Sequence, residues 1–463
     1  MDRIALFGGS FNPPHIGHRE VNLMLANRGY QVVNIPCGPR PDKPSTNDTD
    51  PLHRAAMNDI AFGRIPGVAV ELFDLERATF TRAHELEAMF APKGEVWHVV
   101  GTDLIRCGAR GASFIQKEWA RGRDLWASSR FIVAVREGDP LDPRDLPPHH
   151  ELFRPHYGPS SEEVRKRVFA GSSIEAEVLP DVREYIYRHG LYRGRTGTQD
   201  VLYAITRPRL HLLPDPRNQE AEEIAERLQE WADVDDPNLI VSIGGDGWLL
   251  KAIRARWRRR VPFFGINAGH KGYLLNDVKD ELGAELFTRS PLKIRHSPLL
   301  FVEAVLVDGS TKETYAFNDA YVQVEIGKTG WIEVLVNGEV KIPKLVGDGA
   351  LVATAAGSTA YARSMGAHPL KIGSRHLVLV ASNAAEPLRW PGANLPITSK
   401  ICFRNADPTG WRKLIGLADG VVLGEVRELR IRSSRAAAAE VAYTDDYDLD
   451  AKLVKSQFPA NGA

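Results

Sequence analysis

The sequence predicts an α/β protein with more than one nucleotide-binding unit, ending in a β-rich portion. Three observations carry that expectation. Near the middle of the chain the apolar run Leu239-Ile-Val-Ser-Ile243 ends in Gly244-Gly-Asp-Gly247, and a helical pattern follows at once. Strand, glycine turn and helix in that order aim backbone N–H groups at an anion, and the helix dipole adds partial positive charge. A second turn of this kind stands at the start, where Ile4-Ala-Leu-Phe7 runs into Gly8-Gly-Ser-Phe-Asn-Pro-Pro-His-Ile-Gly-His18. From about residue 292 strand-like segments follow one another without regular helical partners, at 300–307, 320–324, 332–336, 377–380 and 400–404. That pattern predicts a β-rich domain of the sandwich type.

The bulk properties narrow the class. At 463 residues the chain exceeds what one hydrophobic core serves, so two or three domains are expected. Lysine plus arginine equals aspartate plus glutamate, which argues against nucleic acid or an anionic membrane as partner. The basic run 254–260 around Trp257 accordingly reads as a solvated helix end. No apolar run approaches the ~20 residues of a membrane span. Cys37, Cys107 and Cys402 are far apart and form no metal-ligand pattern. With no signal peptide after Met1-Asp-Arg they read as reduced thiols in a cytoplasmic protein.

Two side-chain groups carry the chemistry. Asp246 is the odd member of its glycine turn, because a carboxylate repels phosphate unless it holds a metal or takes a proton from a hydroxyl. Phosphoryl transfer to an alcohol fits that combination; the plainer alternative is a tight turn between strand and helix. His15 and His18 are three apart and share one face if a helix begins there. With Ser10 and the glycine amides they would stabilise a crowded phosphate, and no nucleophilic side chain is needed if the attacking group is itself a phosphate. The alternative, a pair of surface or zinc-binding histidines, lacks a third ligand nearby. Arg40, Lys43 and Arg54 could add positive charge, although each alone reads as a solvated surface group.

At these residues the first half resembles the nicotinate/nicotinamide mononucleotide adenylyltransferases, over about residues 1–194. The resemblance implies a Rossmann-like nucleotidyltransferase domain with His15 and His18 at the reaction centre. It further implies that Gly8, Gly9, Ser10, Gly101, Asp103, Ser160 and Arg165 hold ATP, Asp103 at the ribose and Ser160 and Arg165 at the phosphates. Phe11, Asn12, Thr81 and Trp119 would then contact the mononucleotide, Trp119 by stacking on the pyridine ring. Phe131 to Arg136 resembles the following strand with its arginine, and 185–192 the closing segment. Two departures stand out: Glu162 where the family has threonine, and Thr79-Phe-Thr-Arg-Ala-His84 in place of the family's Tyr-Thr-x-x-Thr. The reaction implied is attack of the mononucleotide phosphate on the α-phosphorus of ATP, with magnesium, His15, His18 and Arg165 as the cations.

The second half resembles the NAD kinases over about residues 200–455. The set is Gly-Gly-Asp-Gly at 244–247, Gly-Ile-Asn-x-Gly-x-x-Gly-Tyr-Leu at 265–274, Asn318-Asp319, and Asp348-Gly with Gly357-Ser-Thr-Ala-Tyr361. It implies an α/β domain (200–291) followed by a β-sandwich domain (292–463), with 195–199 as linker after the first domain (1–194). By resemblance Asp246 activates the adenosine 2′-hydroxyl, Gly245 and Gly247 meet phosphate, and Tyr273 lies by the adenine. Asn318, Asp319, Asp348, Thr359, Ala360, Tyr361 and Ser364 would contact NAD. The family also implies a homo-oligomer through the C-terminal domain, with neighbouring subunits completing the site. Trp248, Lys271 and His368 depart from the family pattern. Joined, the halves read as consecutive steps with ATP, the mononucleotide and NAD as ligands and magnesium as cofactor; no metal site built from protein side chains is expected. The alternative is an active adenylyltransferase regulated by a kinase-like domain that senses dinucleotide.

Overall fold

A computed structural model describes residues 2–40, 43, 46–135, 141–155, 160–194, 201–269, 272–278, 281–325, 327–388 and 390–457. The expected linker at 195–199, Arg136 and Lys271 lie outside these residues. The chain divides into two compact units, 1–198 and 199–463.

The first unit is built on six strands: β1 (Arg3–Gly9), β2 (Tyr30–Pro36), β3 (Val68–Val70), β4 (Glu95–Gly101), β5 (Arg130–Ala134) and β6 (His150–Phe153). They pair in parallel in the order β3-β2-β1-β4-β5-β6. A parallel sheet is covered on both faces, so its strands are apolar throughout. In β1, Ala5 packs with Val21, Leu25 and Ile132 on one face, while Ile4 and Leu6 pack with Leu86 and Phe90 on the other. The chain leaves β1 toward β2 and β3, then returns on the other side as β4. Strand order therefore reverses at the β1–β4 boundary, and the carboxyl ends of these two strands flank a crevice of the kind that takes ligands in open α/β sheets. The helix Ile16–Asn27 leaves β1, and a four-residue helix, Thr102–Ile105, leaves β4.

The second unit opens with β7 (Val201–Tyr203), β8 (Leu210–Pro214), β9 (Leu239–Gly244) and β10 (Phe263–Asn267). β8, β9 and β10 are parallel neighbours. A helix, Gln219–Arg227, is capped by Asn218 and followed by a 3-10 turn, Gln229–Trp231. The helix Asp246–Arg256 follows β9 directly.

The remaining strands are β11 (Leu292–Leu306), β12 (Thr311–Ala316), β13 (Asp319–Val324), β14 (Gly330–Val336), β15 (Glu339–Gly347), β16 (Gly349–Ala353), β17 (His376–Ser382), β18 (Ala393–Pro396), β19 (Lys400–Asn405), β20 (Leu414–Ala418) and β21 (Val421–Tyr443). All five expected strand segments lie in strands here, at β11, β13, β14, β17 and β19. Two apposed layers enclose a core of Val302, Val322, Val334, Val352, Leu379, Phe403, Leu429 and their neighbours. One layer runs β15-β14-β19-β21-β11-β12, the other β20-β13-β16-β17-β18. Alternation along β11 shows the pleat: Val302 and Ala304 are fully buried, and Glu303 between them pairs with Arg430. β11 and β21 are long enough to serve both parts. Their distal halves belong to the sandwich, while Lys293–Pro298 pairs with the end of β21, which in turn pairs with β10.

The sandwich presents its loop 354–364 against the start of β13 through a close approach at Gly357. A Cβ there would sit 2.1 Å from the main-chain oxygen of Asn318. Gly357→Ala should therefore force the two loops apart and lower the unfolding free energy by roughly 1–3 kcal/mol, as a lower urea midpoint; an unchanged midpoint would contradict this packing.

Candidate active sites

In the first unit the turn after β1 is folded onto its own strand. Phe11 adopts φ 42° and is 1 % exposed, its ring packed edge-on against Phe7 and Phe62. Asn12 is fully buried, and its Oδ1 accepts from Tyr192 Oη at 2.7 Å. The side chains of Phe11 and Asn12 are thus packed into the turn itself.

His15 is the N-cap residue of the helix Ile16–Asn27 and not a helical residue itself. It still meets His18. Each Nδ1 accepts the other residue's main-chain N–H (3.2 and 3.4 Å), and the rings stack with centroids 3.6 Å apart. With Nδ1 accepting, each neutral ring carries its hydrogen on Nε2. Gly8 has open space where a Cβ would stand, beside these rings in sequence.

Across the sheet, Gly101 caps the helix that carries Asp103, and Asp103 Oδ1 lies 2.4 Å from where a Gly101 Cβ would stand. Asp103 is exposed at the end of β4, next to β1. Trp119, half-buried, packs against the Val100–Phe131 cluster with its ring 6.2 Å from that of His98. The helix that carries Arg165 starts at Ser161, capped by Ser160, whose Oγ accepts from Glu163 N. Its Ser161 hydroxyl donates to Pro13 O, and Arg165 donates to Asn12 O at 2.6 Å, so this helix is tied to the first turn. Glu162 turns outward and pairs with Lys166 at 2.9 Å; that contact, with Arg165 and Lys43 nearby, holds its carboxyl below the usual range. Thr81 places its hydroxyl hydrogen on buried Asp74 (2.6 Å) and not in the crevice.

Arg54 is neither a solvated charge nor a phosphate ligand. It is 1 % exposed and donates to the main-chain oxygens of Ser10, Cys37 and Thr46. It fastens the turn to the loop after β2, and burial lowers its proton affinity.

In the second unit Asp246 begins the helix after β9. Gly244 takes φ 153°, and a Cβ on Gly245 or Gly247 would meet nothing within 4 Å, so the glycine rim is open. Asp246 Oδ2 accepts Tyr273 N at 2.9 Å and Oδ1 accepts Leu274 N at 3.0 Å. Burial raises its pKa against the opposing pull of these two hydrogen bonds and of Lys452. The result is a fixed carboxylate with increased basicity.

A chain of contacts leads from this residue around the site. Tyr273 Oη donates to Leu370 O, and Leu370 N donates to Ser358 Oγ. Burial pushes the Tyr273 phenol up to about 12. Gly357 then lies on the main chain of Asn318. The N–H groups of Phe317, Asn318 and Asp319 all donate to Asp419, at 2.7, 2.8 and 3.2 Å. Finally Arg254, on the helix that Asp246 begins, donates to Asp419 O at 3.2 Å. Asp246, Tyr273, Asn318, Asp319, Thr359 and Tyr361 thus belong to one connected region. Asn318 Oδ1 is buried with no hydrogen-bond partner among the described residues, an acceptor suited to a ligand N–H or hydroxyl. Tyr361 is exposed, edge-on to Tyr321; Ala360 and Ser364 are exposed beside it.

Asp348 does not join them. It precedes β16, whereas loop 354–364 follows it, and β16 spans five residues, about 17 Å. Asp348 instead accepts from Asn383 Nδ2 at 2.6 Å. Trp248, which replaces a small hydroxyl residue, donates from Nε1 to Leu213 O. Asp419 was missed by sequence reasoning; its one local signal is the Asp419-Gly420 turn joining β20 and β21.

The geometry defines a protein with two nucleotide-type sites, each a glycine turn at the carboxyl end of a buried strand. The comparisons agree. The cytidylyltransferase-like family model matches residues 6–167. NAD kinases match a longer stretch: that of Rhizorhabdus wittichii is 33% identical over 258 residues, covering 55% of this chain and 99% of the relative. Those of Rickettsia bellii (34% over 235 residues; 50% and 90%) and Zymomonas mobilis (31% over 253; 53% and 95%) match similarly. An NAD kinase structure from Archaeoglobus fulgidus in complex with ATP covers 52% of this chain and 94% of its own at 20% identity and TM-score 0.42, too loose for residue transfer. The chain belongs to the NAD kinase family, with a cytidylyltransferase-like region at its start.

Asp319 is 5 % exposed, and burial beside the Asp419 carboxyl pushes it up to about 7. Its unfolded value is near 3.9. Between about pH 4 and pH 7 the native state thus holds a proton that the unfolded chain has lost, so stability falls as pH rises through that window. Asp319→Asn should raise the melting temperature at pH 8 and leave it little changed at pH 4; equal shifts at both would contradict the assignment.

Proposed function

We propose that the chain catalyses two consecutive reactions of NAD(P) synthesis. In the first unit the phosphate of nicotinamide mononucleotide, or its nicotinate form, attacks the α-phosphorus of ATP, giving the dinucleotide and pyrophosphate. In the second, the 2′-hydroxyl of NAD attacks the γ-phosphorus of ATP, giving NADP. The observation that carries the second step is Asp246: a half-buried carboxylate of raised basicity, held by two main-chain N–H groups at an open glycine rim. It takes the proton of the attacking hydroxyl, while Gly245 and Gly247 leave room for phosphate. Asn318, Asp319, Thr359, Ala360, Tyr361 and Ser364 hold NAD, and Tyr273 braces the base. Asp348 joins them in contacting NAD within a homo-oligomer formed through the C-terminal domain.

For the first step, His15 and His18 present Nε2–H donors where two anions must be brought together, with Ser160 and Arg165 at the helix tied to the same turn. Gly101 and Asp103 receive the ATP ribose and Trp119 the pyridine ring. Magnesium, arriving with ATP, supplies charge neutralisation on the phosphates when bound; among the described residues no group of three or more His, Cys, Asp or Glu side chains is gathered to hold it. Among those residues no helix is long and apolar enough to cross a membrane, and the three free cysteines favour a cytoplasmic setting.

In the full chain, Asp246→Asn should reduce NADP formation at least ~10³-fold and leave pyrophosphate release intact, and His18→Ala should do the reverse. NADP formation by Asp246→Asn at the parental rate would refute the base. No NADP from the parent with NAD, ATP and magnesium would leave the second unit a dinucleotide sensor. A direct relay between the units requires the amidated intermediate. Initial rates with nicotinamide mononucleotide should therefore equal or exceed those with the nicotinate form; a large preference for nicotinate would exclude the relay.

A further inference from the structure

The loop that holds Asp246 is itself held by the end of the chain. Lys452, on the helix Leu449–Gln457, donates from Nζ to the main-chain oxygens of Gly272 and Leu275, both at 2.9 Å. It also pairs with Asp277 Oδ2 at 2.8 Å, while Asp277 Oδ1 accepts from Asn267 Nδ2. Tyr447 Oη donates to the main-chain oxygen of Tyr273. A second tie, Lys371 to Asp450 at 2.7 Å, joins the same helix to the segment after Leu370.

These contacts fall on particular peptide groups. In a planar trans peptide the C=O and N–H point in opposite directions. The Gly272–Tyr273 peptide has its oxygen on Lys452 and its N–H on Asp246 Oδ2. The Tyr273–Leu274 peptide has its oxygen on Tyr447 and its N–H on Asp246 Oδ1. Each plane is gripped at both ends: by the C-terminal segment on one side and by the carboxylate on the other. If either plane turned over, a carbonyl would face a half-buried carboxylate and repel it. The hydrogen bond from Lys452 also polarises its peptide so that the N–H toward Asp246 becomes a stronger donor.

We propose that Lys452 and Tyr447 are positioning residues for the phosphoryl-transfer base, so that the C-terminal segment 447–452 completes the second active site by fixing two peptide planes. This rests on the reading of Asp246 as the base. Neither residue touches NAD or ATP in this scheme, so their removal acts on turnover before it acts on binding. The charged groups facing Asp246 are Lys452 and Asp277, and the phenols facing it are Tyr273, Tyr443 and Tyr447. Lys452 favours the ionised carboxylate and Asp277 opposes it. Losing the lysine therefore moves the proton uptake of Asp246 to higher pH.

The test is steady-state NADP formation by the full-length chain with NAD, ATP and magnesium, for Lys452→Met, Lys452→Arg and Tyr447→Phe beside Asp246→Asn. Lys452→Met should lower kcat about 10- to 100-fold, with both KM values within about threefold of the parent. The acid limb of its kcat–pH profile should move to higher pH, and Lys452→Arg should recover most of kcat and return the limb. Tyr447→Phe should lower kcat by a smaller factor without moving the limb. A parental kcat and acid limb in Lys452→Met, with Asp246→Asn inactive, would overturn the positioning role alone. Parental activity in Asp246→Asn would remove the base assignment on which it rests. If Lys452→Met shows no cooperative melting transition, Tyr447→Phe decides: a reduced kcat at unchanged KM supports the role, and a parental kcat overturns it.

Discussion

Two main-chain hydrogen bonds onto one half-buried carboxylate tie the loop after β10 to the helix after β9 in the second unit. An ionised aspartate removed from water is costly unless every oxygen is engaged. Asp246 meets that demand with the N–H groups of Tyr273 and Leu274. Those groups are available because the chain breaks from strand into an irregular loop after β10, leaving its amides outside any sheet. The same hydrogen bonds restrain a pKa that burial pushes upward. A carboxylate exposed at a helix start would be too weak a base, and one buried without partners would be protonated and inert. From this point the contacts through Leu370, Ser358, Asn318, Asp419 and Arg254 return to the helix that Asp246 begins.

The first unit solves a related problem with a different division of labour. Its turn packs His15 inside and leaves His18 half-buried, while the base of the turn is buried. Arg54 binds three carbonyl oxygens beneath the turn, and Arg165 binds a fourth at its rim. Tyr192, from the end of the unit, secures Asn12. The imidazoles restrain one another through reciprocal main-chain contacts at Nδ1. Positive charge beside this glycine turn is therefore partly structural. Arg54 would be mistaken for a ligand by composition alone.

What the sequence disclosed was local. Both glycine turns, the helix cap at Ser160 and the alternating strands of the sandwich are written in consecutive residues, whose spacing maps directly onto geometry. Asp419, Lys452 and Arg54 act across 101, 180 and 44 residues, and their partners are main-chain atoms that leave no side-chain signature. Asp348 was grouped with Gly357–Tyr361 by proximity in sequence, but a five-residue strand between them carries it to the opposite end of the layer. Phe11 and Asn12 lie within a motif rich in ligand-binding types, yet burial recruits them inward. The long strand β21 was also hidden, because its run Ala436–Ala439 favours helix by propensity. Here it is extended: Ser434 Oγ accepts the N–H groups of Ala436 and Ala437, and Arg260 donates to the oxygens of Ala436 and Ala438. Tertiary partners overrule propensity where only small side chains fit.

The claim that one chain both makes and phosphorylates a dinucleotide is tested most directly by a single incubation of the purified protein with nicotinamide mononucleotide, ATP and magnesium, following both dinucleotides in time. NAD should rise first, and NADP should follow after a lag without any added enzyme. NAD that accumulates to completion with no NADP, or a mixture in which neither appears, would contradict it.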